Sequence, residues 1–177
     1  EVLLQVLGQL RDLTQEPDPK VFVPRLTRLC AGAGVAVVFH PAPTGAPISG
    51  ATRWISADKA LLMLTLRFKS NDHLWFSMFH EAAHLVLHGK RLLFLERVDR
   101  GIEPQAEEEA NLFAAELLIP QKHLAAMRAL APTKARVSAF ADDIGIAPGI
   151  VVGRMQREKL IPWSHLNALK VRYDWEQ

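Results

Sequence analysis

The chain has 177 residues, 49% of them hydrophobic and 23% charged, with a net charge of +2. This is the composition and size of one globular domain with a substantial core, and the charge is too small to argue for nucleic acid or an acidic partner. A single cysteine, Cys30, excludes an intrachain disulfide framework and fits a reducing, cytoplasmic setting, and no apolar run is long enough to span a membrane.

Taken in chain order, Val2, Leu3, Val6, Leu7, Leu10 and Leu13 recur at helical spacing and predict an amphipathic helix over 1–14, stopped by Pro17 and Pro19. The chain opens at Glu1 already inside this pattern, as expected of a fragment of a longer protein. A second helix is predicted over 22–32, ending at Gly32 or Gly34. Val35 to Phe39 are apolar and β-branched and read as a buried strand. Three prolines and two glycines make 40–50 a loop. Strands are predicted at 51–56 and 60–67, on either side of a turn at Ala57-Asp58-Lys59. Asn71-Asp72 can start a helix running from about His73 to His88, with Gly89 as its stop. Leu92 to Leu95 can form a short strand. From Pro104 the chain reads as mostly helical, broken near Pro120, Pro132, Gly145–Pro148 and Pro162. Strands first and helices later indicate an α+β fold with a small sheet.

The third helix carries His80-Glu81-Ala82-Ala83-His84. Two histidines four residues apart lie one turn from each other on a helix and can grip one metal ion. The glutamate between them can then take a proton from a water beside that ion. On a helical wheel His73, Ser77, His80, Glu81, His84 and His88 fall within an arc of about 100°. The rest of the helix is apolar, from Leu74, Trp75 and Phe76 to Val86 and Leu87. A surface helix has a wider polar face, so this one is predicted to be buried with its polar stripe lining a cleft. Unpartnered histidines and a carboxylate are costly to bury, and a metal ion would satisfy several of them together.

A catalytic zinc takes three protein ligands. The extended pattern H-E-x-x-H-x-x-G-x-x-H fails here, because positions 87 and 90 are Leu87 and Lys90. His88 lies a further turn along, too far for one ion to meet His80, His84 and His88 on a straight helix; it reads as a residue lining the cleft or supporting a ligand from outside. A glutamate from the helix around 106–118 is the remaining class. With Ala106, Ala110, Phe113 and Leu117 as the inner stripe, Glu107 and Glu108 point outward and are expected to be solvated, while Glu109 and Glu116 both flank the stripe. Periodicity does not choose between those two.

Taken together, two blocks resemble the ImmA/IrrE family of metallopeptidases: His80 to His84 followed by Leu85-Val86-Leu87-His88-Gly89, and Glu109-Ala110-Asn111, Phe113-Ala114-Ala115 and Leu118-Ile119-Pro120. The stretch from Gly50-Ala51-Thr52-Arg53-Trp54 through Leu66-Arg67 to Asp72 is similar to members that carry an upstream helix-turn-helix repressor domain. Family-like sequence covers roughly 20–175. The resemblance implies a zincin-like fold, with a small sheet on the motif helix and a mostly helical C-terminal half. It implies His80 and His84 as ligands of Zn2+ (with Mn2+ or another divalent ion as an alternative), Glu81 as the catalytic glutamate, and Glu109 as the third ligand. It also implies residues 1–19 as the connection to a DNA-binding domain, 20–130 as the catalytic core and 131–177 as a helical subdomain. Ala83 departs from the family, which usually has glycine before the second histidine, and its methyl is expected to leave metal binding intact while narrowing the approach to the metal.

The expected activity is that of a zinc-dependent endopeptidase domain of a transcriptional regulator, acting on a protein substrate such as a partner repressor. Arg67, His73, His165 and Tyr173 are the candidates of suitable type to stabilise an oxyanion. Two other readings stand beside it. One is a metal-binding regulatory or antitoxin-like domain without turnover. The other is DNA binding by the C-terminal part, where Phe140 to Val151 read as helix, tight turn and helix, followed by Arg154, Arg157 and Lys159. The modest charge and Pro148-Gly149 at the second helix favour a hairpin packed on the core instead. Trp54, Trp75, Phe76 and Phe79 are expected in the core, Trp163 and Trp175 against the C-terminal segment, and Cys30 as a buried small hydrophobe.

Overall fold

A computed structural model describes residues 2–41, 49–65, 70–89 and 104–173. The first helix, α1 (Val2–Asp12), buries Val6, Leu7 and Leu10 and runs into a 3-10 turn, Leu13–Gln15. Helix α2 (Pro19–Gly32) starts three residues earlier than its apolar pattern predicts. Asp18 caps it by accepting from the Lys20 backbone N–H at 2.8 Å, and Pro19 occupies the first helical position, where its missing N–H costs nothing. Pro19 is therefore a starter as well as a stop.

The sheet has three strands in the order β1-β3-β2. β1 (Val35–His40) runs parallel to β3 (Ala60–Thr65), with Val35 opposite Ala60. β2 (Gly50–Trp54) runs antiparallel on the other side of β3, with Gly50 opposite Leu64 and Trp54 opposite Ala60. The central strand is the most buried, through Ala60, Leu62 and Leu64. The end of the strand expected to reach residue 67 and the short strand at Leu92–Leu95 lie outside the described residues.

Helix α3 (Asn71–Ala83) packs on the sheet and is buried almost all round, as its single polar stripe predicts. Trp75, Met78 and Phe79 have no exposed surface, and the Trp75 ring lies 5.3 Å from that of Phe22 on α2. The remaining helices are α4 (Pro104–Leu118), α5 (Gln121–Arg128), α6 (Lys134–Ile144) and α7 (Pro148–Arg157). Their breaks fall where the prolines and Gly145 predict, the latter in the left-handed conformation at φ 71°. The α6–α7 hairpin is packed into the core, with Val137, Phe140, Ile146, Val151 and Met155 all buried. Trp163 departs from expectation: its side chain is exposed rather than packed down. The architecture is α+β, mostly helical around a small sheet. Among the described residues no helix is long and apolar enough to cross a membrane.

Two long-range ties hold the frame. The Arg11 guanidinium on α1 donates to the carbonyls of Leu117 and Leu118 at the end of α4, at 2.9 and 3.2 Å, and of Ile144 at the end of α6, at 2.7 Å. It thus satisfies helix-end acceptors that have no partner within their own helices. At the other end of the chain, the backbone N–H of Asn71 donates to Val171 O at 2.9 Å, and Asn71 Oδ1 accepts from the Val171 N–H at 3.2 Å. Lys170 Nζ adds an ion pair to Asp72 at 2.6 Å. The start of the motif helix is therefore held by the C-terminal segment.

Candidate metal centre

The α-helical hydrogen bonding of α3 gives way after Ala83 to a wider π turn, His84–His88, and Gly89 at φ 54° closes it. His80 and His84 project from the same face across this junction, with their Nε2 atoms 3.2 Å apart. Across the cleft α4 brings Glu107. Its Oε2 lies 3.4 Å from His80 Nε2, and its Oε1 lies 3.2 Å from His84 Nε2. One donor atom from each of the three residues falls within 4.8 Å of the other two.

Glu107 lies elsewhere than the sequence reading expected: its side chain is 41% exposed, but its carboxylate faces the two histidines and does not point away from them. The buried stripe of α4 is Ala110, Ala114 and Leu118, one position round from the stripe that periodicity picks out. On that stripe Glu107 lies just before Ala110 and four residues before Asn111, facing α3. Glu109, implied as third ligand by the resemblance, is ~200° round the helix from Glu107. It does not join the triad: its Oε2 meets His88 Nε2 at 3.0 Å instead. Glu116 is further away still, accepting from the backbone N–H of Gln121 at the start of α5.

Asn111 has a role the sequence reading did not assign. His80 Nδ1–H donates to Asn111 Oδ1 at 3.1 Å, which leaves the lone pair of His80 on Nε2, facing the triad. The signal for it was the four-residue spacing from Glu107. Two imidazole nitrogens and a carboxylate thus converge, three electron-pair donors that one shared cation would satisfy together. Nitrogen and oxygen ligands about 2.0–2.1 Å from a tetrahedral ion stand about 3.3 Å from one another. The 3.2 Å between the two imidazole nitrogens matches that spacing, and each histidine faces its own oxygen of the Glu107 carboxylate, at 3.4 and 3.2 Å, so the donor set fits a divalent metal such as zinc.

Glu81 is 8% exposed. Burial, and then the charge of Glu107, push its carboxyl up to about 8. The backbone of β2 closes over it: a Cβ at Gly50 would stand 2.6 Å from Glu81 Cγ. The other expected participants are scattered. Arg67 lies outside the described residues. His73 is exposed beside Asp72, two turns before His80. His165 Nε2–H donates to the Pro132 carbonyl at 3.1 Å. Tyr173 is buried in the core against Phe22. Cys30 is fully buried, and burial pushes its thiol up to about 12, out of range for a metal ligand. Ala83 is fully buried as well.

A cavity of about 350 Å³ adjoins the centre between α3, α4 and α7. Its wall includes Phe76 and Asn111, both in contact with His80, together with Leu112, Ile150 and Trp163. Arg157 lies over the Phe76 ring, 5.5 Å from its centroid.

No curated protein matches the chain. The family profile of peptidase family M78, described as the IrrE N-terminal-like domain, matches residues 30–155, which span the sheet, α3 and all but the end of α7. With a match over well more than half its length, an α+β fold and a possible metal triad on its H-E-x-x-H helix, the chain belongs to this IrrE N-terminal-like family and is a metallopeptidase-type domain.

Proposed function

We propose that the chain is a zinc-dependent endopeptidase domain, with His80, His84 and Glu107 as its three metal ligands and Glu81 as general base. The observation that carries this reading is the convergence of two imidazole nitrogens 3.2 Å apart and the Glu107 carboxylate on one point, a two-histidine, one-glutamate donor set suited to a tetrahedral ion. Zinc, when bound, supplies Lewis acidity, polarising a scissile carbonyl and lowering the pKa of a water to ~7. The residues do the rest. Asn111 orients His80 through its Nδ1–H. Glu81, one residue from His80 and almost enclosed, takes the proton of the attacking water and returns it to the leaving amine.

The surroundings favour an extended peptide as substrate. Among the described residues β2 is an edge strand, and its Gly50 end lies over Glu81. An unpaired edge offers backbone donors and acceptors to a peptide laid alongside it. The adjoining apolar cavity is large enough for a bulky side chain of that peptide. A partner repressor is the substrate we favour, with a helix-turn-helix domain upstream in the full-length protein. The burial of α7 on the core argues against that helix entering a DNA groove.

The test is metal content and peptide cleavage together. Glu81→Gln should retain one zinc per chain and lose cleavage by at least a thousandfold. Glu107→Ala should lose the metal, while Glu109→Ala and Glu116→Ala keep it. Cleavage surviving in Glu81→Gln would sink the mechanism, and metal lost from Glu109→Ala but kept in Glu107→Ala would replace the ligand set.

A further inference from the structure

Behind His84, on the side away from the triad, runs a chain of hydrogen-bonding groups that ends at the helix surface. His84 Nδ1 is 3.1 Å from His88 Nδ1. His88 Nε2 is 3.0 Å from Glu109 Oε2. The Gln105 side-chain amide donates to Glu109 Oε1 at 2.9 Å and holds that carboxylate in place.

The direction of the chain follows from its last member. An ionised carboxylate only accepts, so His88 Nε2 carries a proton. A neutral imidazole has one N–H, so His88 Nδ1 is an acceptor. The remaining proton in the pair therefore sits on His84 Nδ1, and His84 turns the lone pair of Nε2 toward His80 and Glu107. His84 is 1% exposed, which leaves its Nδ1 dependent on a protein partner for this proton's acceptor. The π turn over His84–His88 is what brings the two rings together, at 5.2 Å between centroids.

We propose that His88 and Glu109 are positioning residues for the metal centre, acting through His84 by fixing its tautomer and ring orientation. The proposal rests on the metal-centre reading above and deepens it. It gives Glu109 a function without making it a ligand, and gives His80 and His84 matched supports: Asn111 for the one, the His88–Glu109 pair for the other. Supports of this kind typically contribute a factor of 10–100 in metal affinity.

The experiment compares zinc affinity, measured by competition with a chromophoric chelator, with zinc stoichiometry and with the melting temperature of the metal-free domain. His88→Phe keeps a ring of similar size but neither accepts nor donates. His88→Gln keeps one acceptor and one donor. Glu109→Ala removes the surface anchor at an exposed position, where folding is not at risk. The expected result is one zinc per chain throughout, affinity weakened about 10–100-fold in His88→Phe and about tenfold in Glu109→Ala, substantial recovery in His88→Gln, and unchanged apo melting. Wild-type affinity in both His88→Phe and Glu109→Ala would overturn the proposal and leave the metal centre standing. Loss of stoichiometric binding in Glu109→Ala would overturn it by making Glu109 a ligand. A wild-type domain that takes up no zinc would overturn both readings.

Discussion

At the scale of single residues, the chemistry of the site is set by how completely each polar group is enclosed. Glu81 is the clearest case. Burial and the neighbouring Glu107 raise its carboxyl to about 8, well above the ~4.3 of an unfolded chain. The folded state thus binds this proton more tightly than the unfolded state. The sign follows directly: the fold's advantage from Glu81 is whole below about pH 4.3 and is lost as pH rises through about 8. In the chelator-treated domain, Glu81→Gln should therefore melt above wild type at pH 8.5, and the gap should shrink toward pH 5. Thermal melts across that range check it, and equal melting at pH 8.5 would show that the carboxyl is not strained by its surroundings. The positions of His80, Glu81 and His84 were legible in the sequence because their geometry is internal to one helix. Gly50 was not, because nothing in its own neighbourhood announces that a glutamate 31 positions later in the sequence will lie against it.

At the scale of elements, rotation about the helix axis decides more than helix existence. The breaks between the α-helices of the C-terminal half fall near Pro120, Pro132 and Gly145–Pro148, as proline and glycine mark them. The face that α4 presents was read one position off, because its candidate stripes are rich in alanine and differ by a single residue. Phe113 is larger than Ala114, yet Ala114 has no exposed surface and Phe113 is only partly covered. Close approach to α3 selects small side chains at that contact, so size was the wrong guide. The same shift carries Glu107 to the histidine pair and Glu109 to His88. Helix ends carry a further expectation. Arg11 satisfies carbonyls at the ends of both α4 and α6 while itself partly buried. Arg11→Ala should cost on the order of 2–3 kcal/mol in urea denaturation, since it leaves several enclosed acceptors unpaired. A loss below about 0.5 kcal/mol would mean that water replaces the guanidinium there.

At the scale of the whole molecule, both ends of the described chain brace the motif helix. The α1 side chains Val6, Leu7 and Leu10 share one core with the sheet and α3, and residues 170–173 clasp the start of α3. The contact between α7 and that clasp is close: a Cβ at Gly149 would stand 2.9 Å from the Lys170 Cα and press on the Asn71 amide. Gly149→Ala should then destabilise the domain by about 1–3 kcal/mol, as overpacking does, although the residue lies on a different element from His80, His84 and Glu107. Denaturant titration measures it, and a neutral effect would show that the clasp yields without cost. By itself, the sequence determined the histidine pair, its glutamate, the buried character of their helix and the α+β order of elements. Each of these depends on spacing within a few turns of one segment, where 3.6-residue geometry is fixed in advance. Only the tertiary structure decided which glutamate faces the histidine pair, what each histidine meets with its other nitrogen and which strand covers Glu81. Those choices depend on how two separately formed surfaces rotate and slide until their side chains fit, and that fit is a property of the pair of surfaces that neither segment carries alone.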